Sequence, residues 1–569
     1  MQYKWLMKPE ASPEAKKKLL KEGLNVSNTI LDMLINRGLN SYREAEAFFN
    51  PRLENLHDPF LMKDMDKAVE RLEKALSENE KILVFGDYDV DGTTSVAMAF
   101  SFLRKIHSNV DYYIPDRYTE GYGVSMKGVE FASENGFTLI IALDCGIKAN
   151  DKVAFANKNN IDFIICDHHT PGEILPEAYA ILDPKREDCN YPYKDLSGCG
   201  VGFKLLQALT IKRSLPMEDL WELLDLVAVS IASDIVGITG ENRILATFGI
   251  KKLKDSPRIG LKALMDISGH KASDLTVSDI VFKIGPRINA AGRIESGHSA
   301  VKLLIEENQD FANEMSDKIN KHNETRQYLD KTITDEALAM IQSDEKFKSG
   351  KSNVLFKPGW HKGVIGIVAS RIIESYYRPT VILTESGGLA TGSARSVEGF
   401  DLYQAIDYCS DLLESFGGHK HAAGLTLKLE NVGKFADKFE EYVSRNITEE
   451  QLIPQINIDH SLSFSEITPR FFNTIKRFAP FGPGNMSPIY ISENISDSGG
   501  TRIVGKTEEH LRLELTDSEN NKFIGIAFGM AHYLNLIKQN DTFKICYSIE
   551  ENEYNGTVSL QLRVRDIKI

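Results

Sequence analysis

Five short, mostly apolar runs follow one another between Lys81 and Leu182: KILVF, VDYYI, TLIIAL, DFIIC and AYAIL. Helical patterns separate them. A strand that is apolar at consecutive positions must be covered on both faces, and the intervening helices supply that cover. Residues 81 to about 240 therefore predict a doubly wound α/β domain around a parallel sheet. In such sheets ligands bind beyond the carboxyl ends of the strands, where the strand order switches.

The ends of these runs are acidic. KILVFGDYDVDGTT places Asp87, Asp89 and Asp91 at alternate positions ahead of Gly92. TLIIALD ends at Asp144, and DFIICDHH ends at Asp167, His168 and His169. Asp234 interrupts the apolar run LVAVSIASDIVGI, where an uncompensated carboxylate would be costly. The first stretch opens like a calcium loop, but the twelfth residue from Asp87 is Met98 rather than a chelating glutamate, and a strand precedes it. An aspartyl-phosphatase reading leaves Asp91 and the later acids without a role. Singly, each aspartate is an ordinary turn or cap residue. Jointly, they predict convergence on one crevice. Oxygen ligands with an imidazole suit Mn²⁺ or Mg²⁺ better than zinc, and two such ions form a site for in-line attack of water on phosphorus.

The rest of the 569 residues exceeds what one core can hold. Residues 12 to 80 read as helical. From Ala300 to about Ser343 the chain is charged and nearly free of proline and glycine, which predicts a long solvated helix between domains. A second α/β pattern runs from SNVLFKPGW to about Arg445, and the remainder alternates apolar and polar residues like the half-buried antiparallel strands of a small barrel. No apolar run is long enough to cross a bilayer, and the N-terminus lacks the pattern of an export signal. Six scattered cysteines without a CxxC pair predict reduced thiols in a cytosolic, cytoplasmic protein. The net charge of −14 argues mildly against a nucleic-acid partner, an argument that a basic or metal-loaded groove escapes.

DYDVDGTT, ALDCGI, CDHHTPGE and SIASDI resemble the four successive motifs of the DHH phosphoesterases. IPDRYTEGYGVS, LSGCGVGFKLLQAL, KIGPRINAAGRIESGHSAVKLL, GWHKGVIGIVASR, ATGSARSVEGFDL and FGGHKHAAGLTL further resemble the bacterial RecJ exonucleases, over nearly the whole chain. The resemblance implies an α/β fold: a helical N-terminal region (1–80), a DHH-type doubly wound catalytic domain (81–299), a linker helix (300–345), a second, smaller α/β substrate-binding domain (346–450) and a C-terminal OB-like barrel (451–569). It implies a 5′-to-3′ exonuclease on single-stranded DNA in repair and recombination, needing two Mn²⁺ or Mg²⁺ ions and releasing nucleoside 5′-monophosphates. A helicase and a single-strand-binding protein would be its partners, and the chain a monomer without membrane contact.

Carried over by motif, Asp87, Asp89, Asp91, Asp144, His168 and Asp234 become metal ligands. Asp144, His168 and His169 are the expected catalytic residues, His169 in a supporting or proton-handling role. Arg117, Arg287, Arg293 and Arg395, with Ser393, are candidate readers of a 5′-phosphate, because a guanidinium fork pairs with phosphate oxygens. Tyr122 is a candidate for stacking on a base, and Gly417, Gly418 and His419 for close backbone approach to a phosphate. On the barrel, Arg470, Lys476, Arg477, Arg502, Lys506 and Arg512 are candidate strand contacts, whereas Phe471, Phe472, Phe478 and Phe481 read mostly as core. A DHH enzyme acting on cyclic dinucleotides, an inorganic pyrophosphatase and a non-catalytic DNA-binding relative are the rival readings. The extra length at both ends and the retained acids weigh against them.

Overall fold

The computed structural model describes residues 3–269, 271–292, 296–554 and 556–569, and the backbone alone at 293 and 294. The chain begins with a short strand, β1 (Lys4–Met7). The parallel sheet follows: β2 (Ile82–Gly86), β3 (Val110–Tyr113), β4 (Leu139–Leu143), β5 (Asp162–Cys166) and β6 (Ala180–Leu182), in spatial order β3-β2-β4-β5-β6. Every neighbouring pair is parallel. Alternate side chains serve opposite faces. Ile82, Val84, Leu139, Ile141 and Ile164 share one core with residues of the helices Val90–Ile106, Gly198–Arg213 and Leu224–Ser233. Leu83, Phe85, Ile140, Phe163 and Ile165 share another with those of Met126–Glu134 and Asn150–Lys158. Apolar residues at successive positions are thus what a strand between two helical layers requires. The chain leaves β2 for β3 on one side and comes back for β4 on the other, so a crevice opens at the carboxyl ends of β2 and β4.

The second α/β unit contains β7 (Asn353–Phe356), β8 (Thr380–Ser386), β9 (Leu389–Arg395), β10 (Leu413–His419) and β11 (Ala422–Lys428), in order β10-β11-β9-β8-β7. Only β7 and β8 run parallel within it. A 35-residue helix, Gln309–Ser343, joins the units: Ala312 and Ile319 belong to the core of the parallel-sheet unit, whereas Ile333, Ala337 and Ile341 pack with Leu355, Val368 and Ile372. The segment 300–345 is not one helix, as its composition predicts. A separate helix ends at Leu304, and the long one starts at Gln309 because the Asn308 side chain accepts from the backbone N–H groups of Asp310 and Phe311.

The C-terminal unit comprises β12 (Gln455–Ile458), β13 (His460–Ser461), β14 (Tyr490–Asp497), β15 (Arg502–Val504), β16 (His510–Thr516), β17 (Lys522–Ala527), β18 (Phe543–Tyr554) and β19 (Thr557–Lys568). Strands β14, β16, β17, β19 and β18 close into a ring. The sequence reading expects antiparallel strands throughout, but β17 and β19 are parallel. A ring of five strands cannot alternate direction all the way round, so one pair must run the same way.

The N-terminal 80 residues are divided between two units. Leu19, Ile30, Leu31 and Leu34 share a core with Phe464, Phe478 and Tyr490 of the barrel, and β1 pairs with β12. The helix Met65–Ser77 instead belongs to the core of the parallel-sheet unit. Arg243 joins these bodies. Its guanidinium is buried, lies 3.8 Å over the Phe48 ring and donates to the carbonyls of Phe48 (3.0 Å), Arg477 (3.2 Å), Phe478 (2.8 Å) and Ala479 (3.0 Å). Burial lowers its pKa to about 10, which leaves it charged at neutral pH. Arg243→Met strands these carbonyls without donors. Urea unfolding should register a loss of about 3 kcal/mol or more; a change within about 0.5 kcal/mol would show that the arginine contributes little.

Candidate metal centre and phosphate cavity

Asp87 follows β2 directly and Asp144 follows β4, so the switch in strand order sets both at the same crevice. Asp89 caps the helix Val90–Ile106, accepting from Gly92 N at 3.0 Å. Gly92 lets that helix begin hard against Asp87: a Cβ there would lie 2.3 Å from the Asp87 carbonyl oxygen. Asp91, in the first helical turn, is fully engaged. Its oxygens accept from Gly198 N (2.7 Å), Cys199 N (2.8 Å) and the Ser230 hydroxyl (2.7 Å). The chain end of the helix Leu224–Ser233 delivers Asp234 from the opposite side.

His168 lies among these acids. Its Nε2 is 3.2 Å from Asp144 Oδ1, 3.5 Å from Asp234 Oδ2 and 3.8 Å from Asp91 Oδ2. These are close approaches without hydrogen-bond geometry, since both His168 nitrogens, Asp144 Oδ1 and Asp87 Oδ2 are buried without a hydrogen-bond partner. Ligand atoms of Asp91, His168 and Asp234 lie within 4.8 Å of one another, as do those of Asp144, His168 and His169. Buried acceptors aimed at a shared space without donors fit a cation, and a donor set of carboxylates with imidazole fits Mn²⁺ or Mg²⁺.

The electrostatics agree. Burial, then the charge of Asp89, raises Asp87 well above the usual carboxylate range; burial, then Asp91 and Asp89, does the same to Asp144. Burial and Asp91 push Asp234 up to about 8. Burial also raises Asp89. Carboxylates so placed are costly when ionised unless positive charge joins them.

Asp167 behaves differently. Burial would raise it, but it falls to about 2 because it accepts from the His169 ring (Nδ1, 2.7 Å), Ile147 N (2.9 Å) and the backbone N–H groups of His168 and His169. Burial disfavours charge on His169 in turn, yet the Asp167 partnership outweighs it and raises His169 to about 9. Asp167 is the residue that motif reasoning leaves without a role. Its signal is its place one position before the two histidines, where it can grip an imidazole. The other ring nitrogen of His169 meets the Tyr122 hydroxyl at 3.1 Å, and Tyr122 is 56% exposed at the crevice.

A second cavity of about 470 Å³ opens between the two α/β units, lined among others by Tyr88, Arg117, Lys362, Ser393 and Arg395. Tyr88 lies between Asp87 and Asp89 in the chain and so links this cavity to the acids. Arg395 Nη1 donates to Ser393 Oγ at 3.0 Å, and Arg117 sits 5.0 Å over the Tyr88 ring. Lys362, from the glycine-flanked turn of GWHKGVIG, is absent from the motif-based candidates. Arg287 does not line this cavity; it donates to Asn320 Oδ1 of the long helix and to the Lys283 carbonyl. The Arg293 side chain lies outside what the structure describes. Gly417, Gly418 and His419 form neither a loop nor a tight turn. They are exposed in the edge strand β10, in register with β11, and Ala422 of β11 pairs with both His419 and Arg395.

On the barrel, Phe471, Phe472 and Phe478 are buried and Phe481 packs against the same core. Lys476 pairs with Glu551 (2.8 Å), Arg512 with Glu514 (2.5 Å) and Arg502 approaches Glu514 (3.9 Å). Arg477 stacks on Phe49, while Arg470 and Lys506 are exposed.

Comparison with known proteins places these parts in one lineage. Residues 81–231 match the model of the DHH family, N-terminal domain, residues 349–445 the DHHA1 domain and residues 458–566 the RecJ OB domain. The single-stranded-DNA-specific exonuclease RecJ of Bacillus subtilis is 36% identical over 558 residues, covering 97% of this chain and 70% of that one. The Haemophilus influenzae RecJ is 33% identical over 573 residues, covering 96% and 98%. The crystal structure of Thermus thermophilus RecJ in complex with Mn²⁺ superposes with a TM-score of 0.86 at 26% identity, covering 100% of this chain and 80% of that one; its Mg²⁺ complex gives 0.80 at 25%, covering 100% and 78%. Carrying the three domain models in this order, with such identity along nearly its full length, the chain belongs to the RecJ family.

Proposed function

We propose that the protein is a 5′-to-3′ exonuclease specific for single-stranded DNA, hydrolysing phosphodiester bonds to nucleoside 5′-monophosphates in DNA repair and recombination. The observation that carries this reading is the pairing of a donor-starved acidic crevice with an arginine-lined cavity across the interdomain cleft. Asp87, Asp89, Asp91, Asp144, His168 and Asp234 are the residues that would hold two Mn²⁺ or Mg²⁺ ions. Bound there, the ions supply Lewis-acid activation of water and neutralise charge gathering on the scissile phosphate.

The chain's own groups do the rest. Asp91, clamped by two N–H groups and a hydroxyl, keeps one fixed geometry through the reaction. Asp167 holds His169 by Nδ1, which turns Nε2 toward the crevice to handle a proton at the departing 3′-oxygen. Arg117 and Arg395, with Ser393, read the terminal phosphate, whose extra charge separates it from an internal one. A cleft admitting one strand would exclude a duplex, and the barrel would hold the strand beyond it. The division at 81–299, 300–345, 346–450 and 451–569 is the functional partition we propose, after an N-terminal region of residues 1–80. The enzyme would act as a cytoplasmic monomer on strands opened by a helicase and covered by a single-strand-binding protein.

The purified protein with Mn²⁺ should release mononucleotides from a 5′-phosphorylated single strand and leave its duplex, a cyclic dinucleotide and pyrophosphate intact; activity confined to dinucleotides would sink the reading. Asp144→Ala should lower turnover by about a thousandfold while strand binding persists. Arg395→Ala should cut the preference for a 5′-phosphate over a 5′-hydroxyl end by about ten- to hundredfold, with internal strand affinity nearly unchanged. Thermal melting checks the metal site directly. Mn²⁺ at about 100 times its Kd should stabilise the protein by about 2.7 kcal/mol. Because burial and mutual repulsion raise Asp87, Asp89, Asp144 and Asp234, protons compete with the ions as pH falls, so this gain should be smaller at about pH 6 than at about pH 9. Equal stabilisation at both pH values would argue against these carboxylates as ligands.

A further inference from the structure

The residue after Asp234 is conformationally unusual. Ile235 has φ +59°, a left-handed conformation that β-branched residues avoid, and its side chain is 63% exposed. Such a conformation persists only where its surroundings impose it. The catalytic domain grips the following loop from one side: the Tyr193 hydroxyl and Asn242 Nδ2 both donate to the Gly237 carbonyl, at 3.2 and 3.0 Å. The other side is held by the barrel unit, more than two hundred residues further along the chain. Ile238 N donates to the Pro483 carbonyl at 2.7 Å, and Ile238 is fully buried.

The turn that presents Pro483 is itself rigid. Gly482 and Asn485 bond each other in both directions through their backbones. The buried Asn485 side chain donates to the Phe478 and Pro480 carbonyls (2.7 and 2.9 Å) and accepts from Arg37 Nε at 2.9 Å. Gly482 touches the loop so closely that a Cβ there would lie 2.5 Å from Ile238 Cγ1, and its own φ is not in the left-handed region.

We infer that the Gly482–Asn485 turn of the barrel unit is a positioning element for the metal ligand Asp234, setting the metal affinity of the catalytic domain through Ile238 and the Ile235 backbone. On this view the C-terminal unit completes the metal centre as well as gripping the strand. The inference rests on the metal reading proposed above.

The full-length Gly482→Ala protein tests it, because the added methyl meets Ile238 and strains nothing in its own backbone. Calorimetric titration with Mn²⁺ in the absence of DNA should show affinity falling by about ten- to hundredfold, the range for groups that orient a metal ligand. Hydrogen exchange at the Ile238 amide should quicken in the metal-free protein. Affinity for a single strand, measured in chelator, should stay as in the wild type, and turnover should return when Mn²⁺ is raised. Unchanged Mn²⁺ affinity overturns the inference, as does a loss of strand affinity with Mn²⁺ binding intact. A wild-type protein that binds no Mn²⁺ overturns the metal reading itself, and this inference with it. Should Gly482→Ala fail to fold, Ile238→Val thins the same contact without overlap and is read by the same titration, with the same outcomes deciding.

Discussion

Like charges gathered where water scarcely reaches repel one another, and the architecture of this protein is largely a means of holding them together. Asp87, Asp144 and Asp91 are buried, Asp89 and Asp234 half-buried, and the charges of Asp91 and Asp89 add to burial in raising Asp144. The sheet spends its most constrained position, the switch between β2 and β4, on this gathering. The helix Val90–Ile106 contributes its positive N-terminal end to the same place, with Asp89 as its cap. Two further helices supply a backbone clamp for Asp91 and the approach of Asp234.

Within the cluster the acids divide into two kinds. Asp91 and Asp167 are held by several hydrogen bonds, Asp167 orienting His169 and Asp91 tying helices together while one of its oxygens still lies within 3.8 Å of His168 Nε2. Asp87 and Asp144 each keep an oxygen without a donor, and His168 keeps both nitrogens so. Asp167 belongs to the frame alone, whereas Asp91 is both part of the frame and a member of the cluster with His168 and Asp234. Arg117 and Arg395 line the neighbouring cavity, and the charge of Arg117 reaches Asp87, where it opposes the effect of burial without outweighing it.

Much of this was legible in residues whose role depends on local pattern. Ile82 and Leu83 must face opposite layers, so an unbroken apolar run announces a covered strand, and an acid at its end announces the crevice. Asp234 stood out because it interrupts an apolar run, which in the structure is the end of the helix Leu224–Ser233. Asp167 was not legible as an orienting group, since a carboxylate that grips imidazole and one that awaits an ion look alike in a string of letters. Arg243 was hidden for another reason. In GENRILATFG it resembles any surface arginine, and the carbonyls it serves belong to residues 48 and 477–479. Long-range service of this kind leaves no periodic trace. The glycines of FGGHKHAAG stand in an edge strand, which their composition alone does not announce.

The pairing of β1 with β12 bears on how the molecule is made. The strand KWLM is synthesised before its partner, which follows about 450 residues later, roughly 20 to 90 s at ordinary rates of translation. Throughout that interval β1 lacks its mate, whereas the five strands of the parallel sheet lie within residues 82–182 and pair with one another. The nascent chain therefore carries a strand with unpaired backbone groups until β12 is made, an edge of the kind that pairs with other chains.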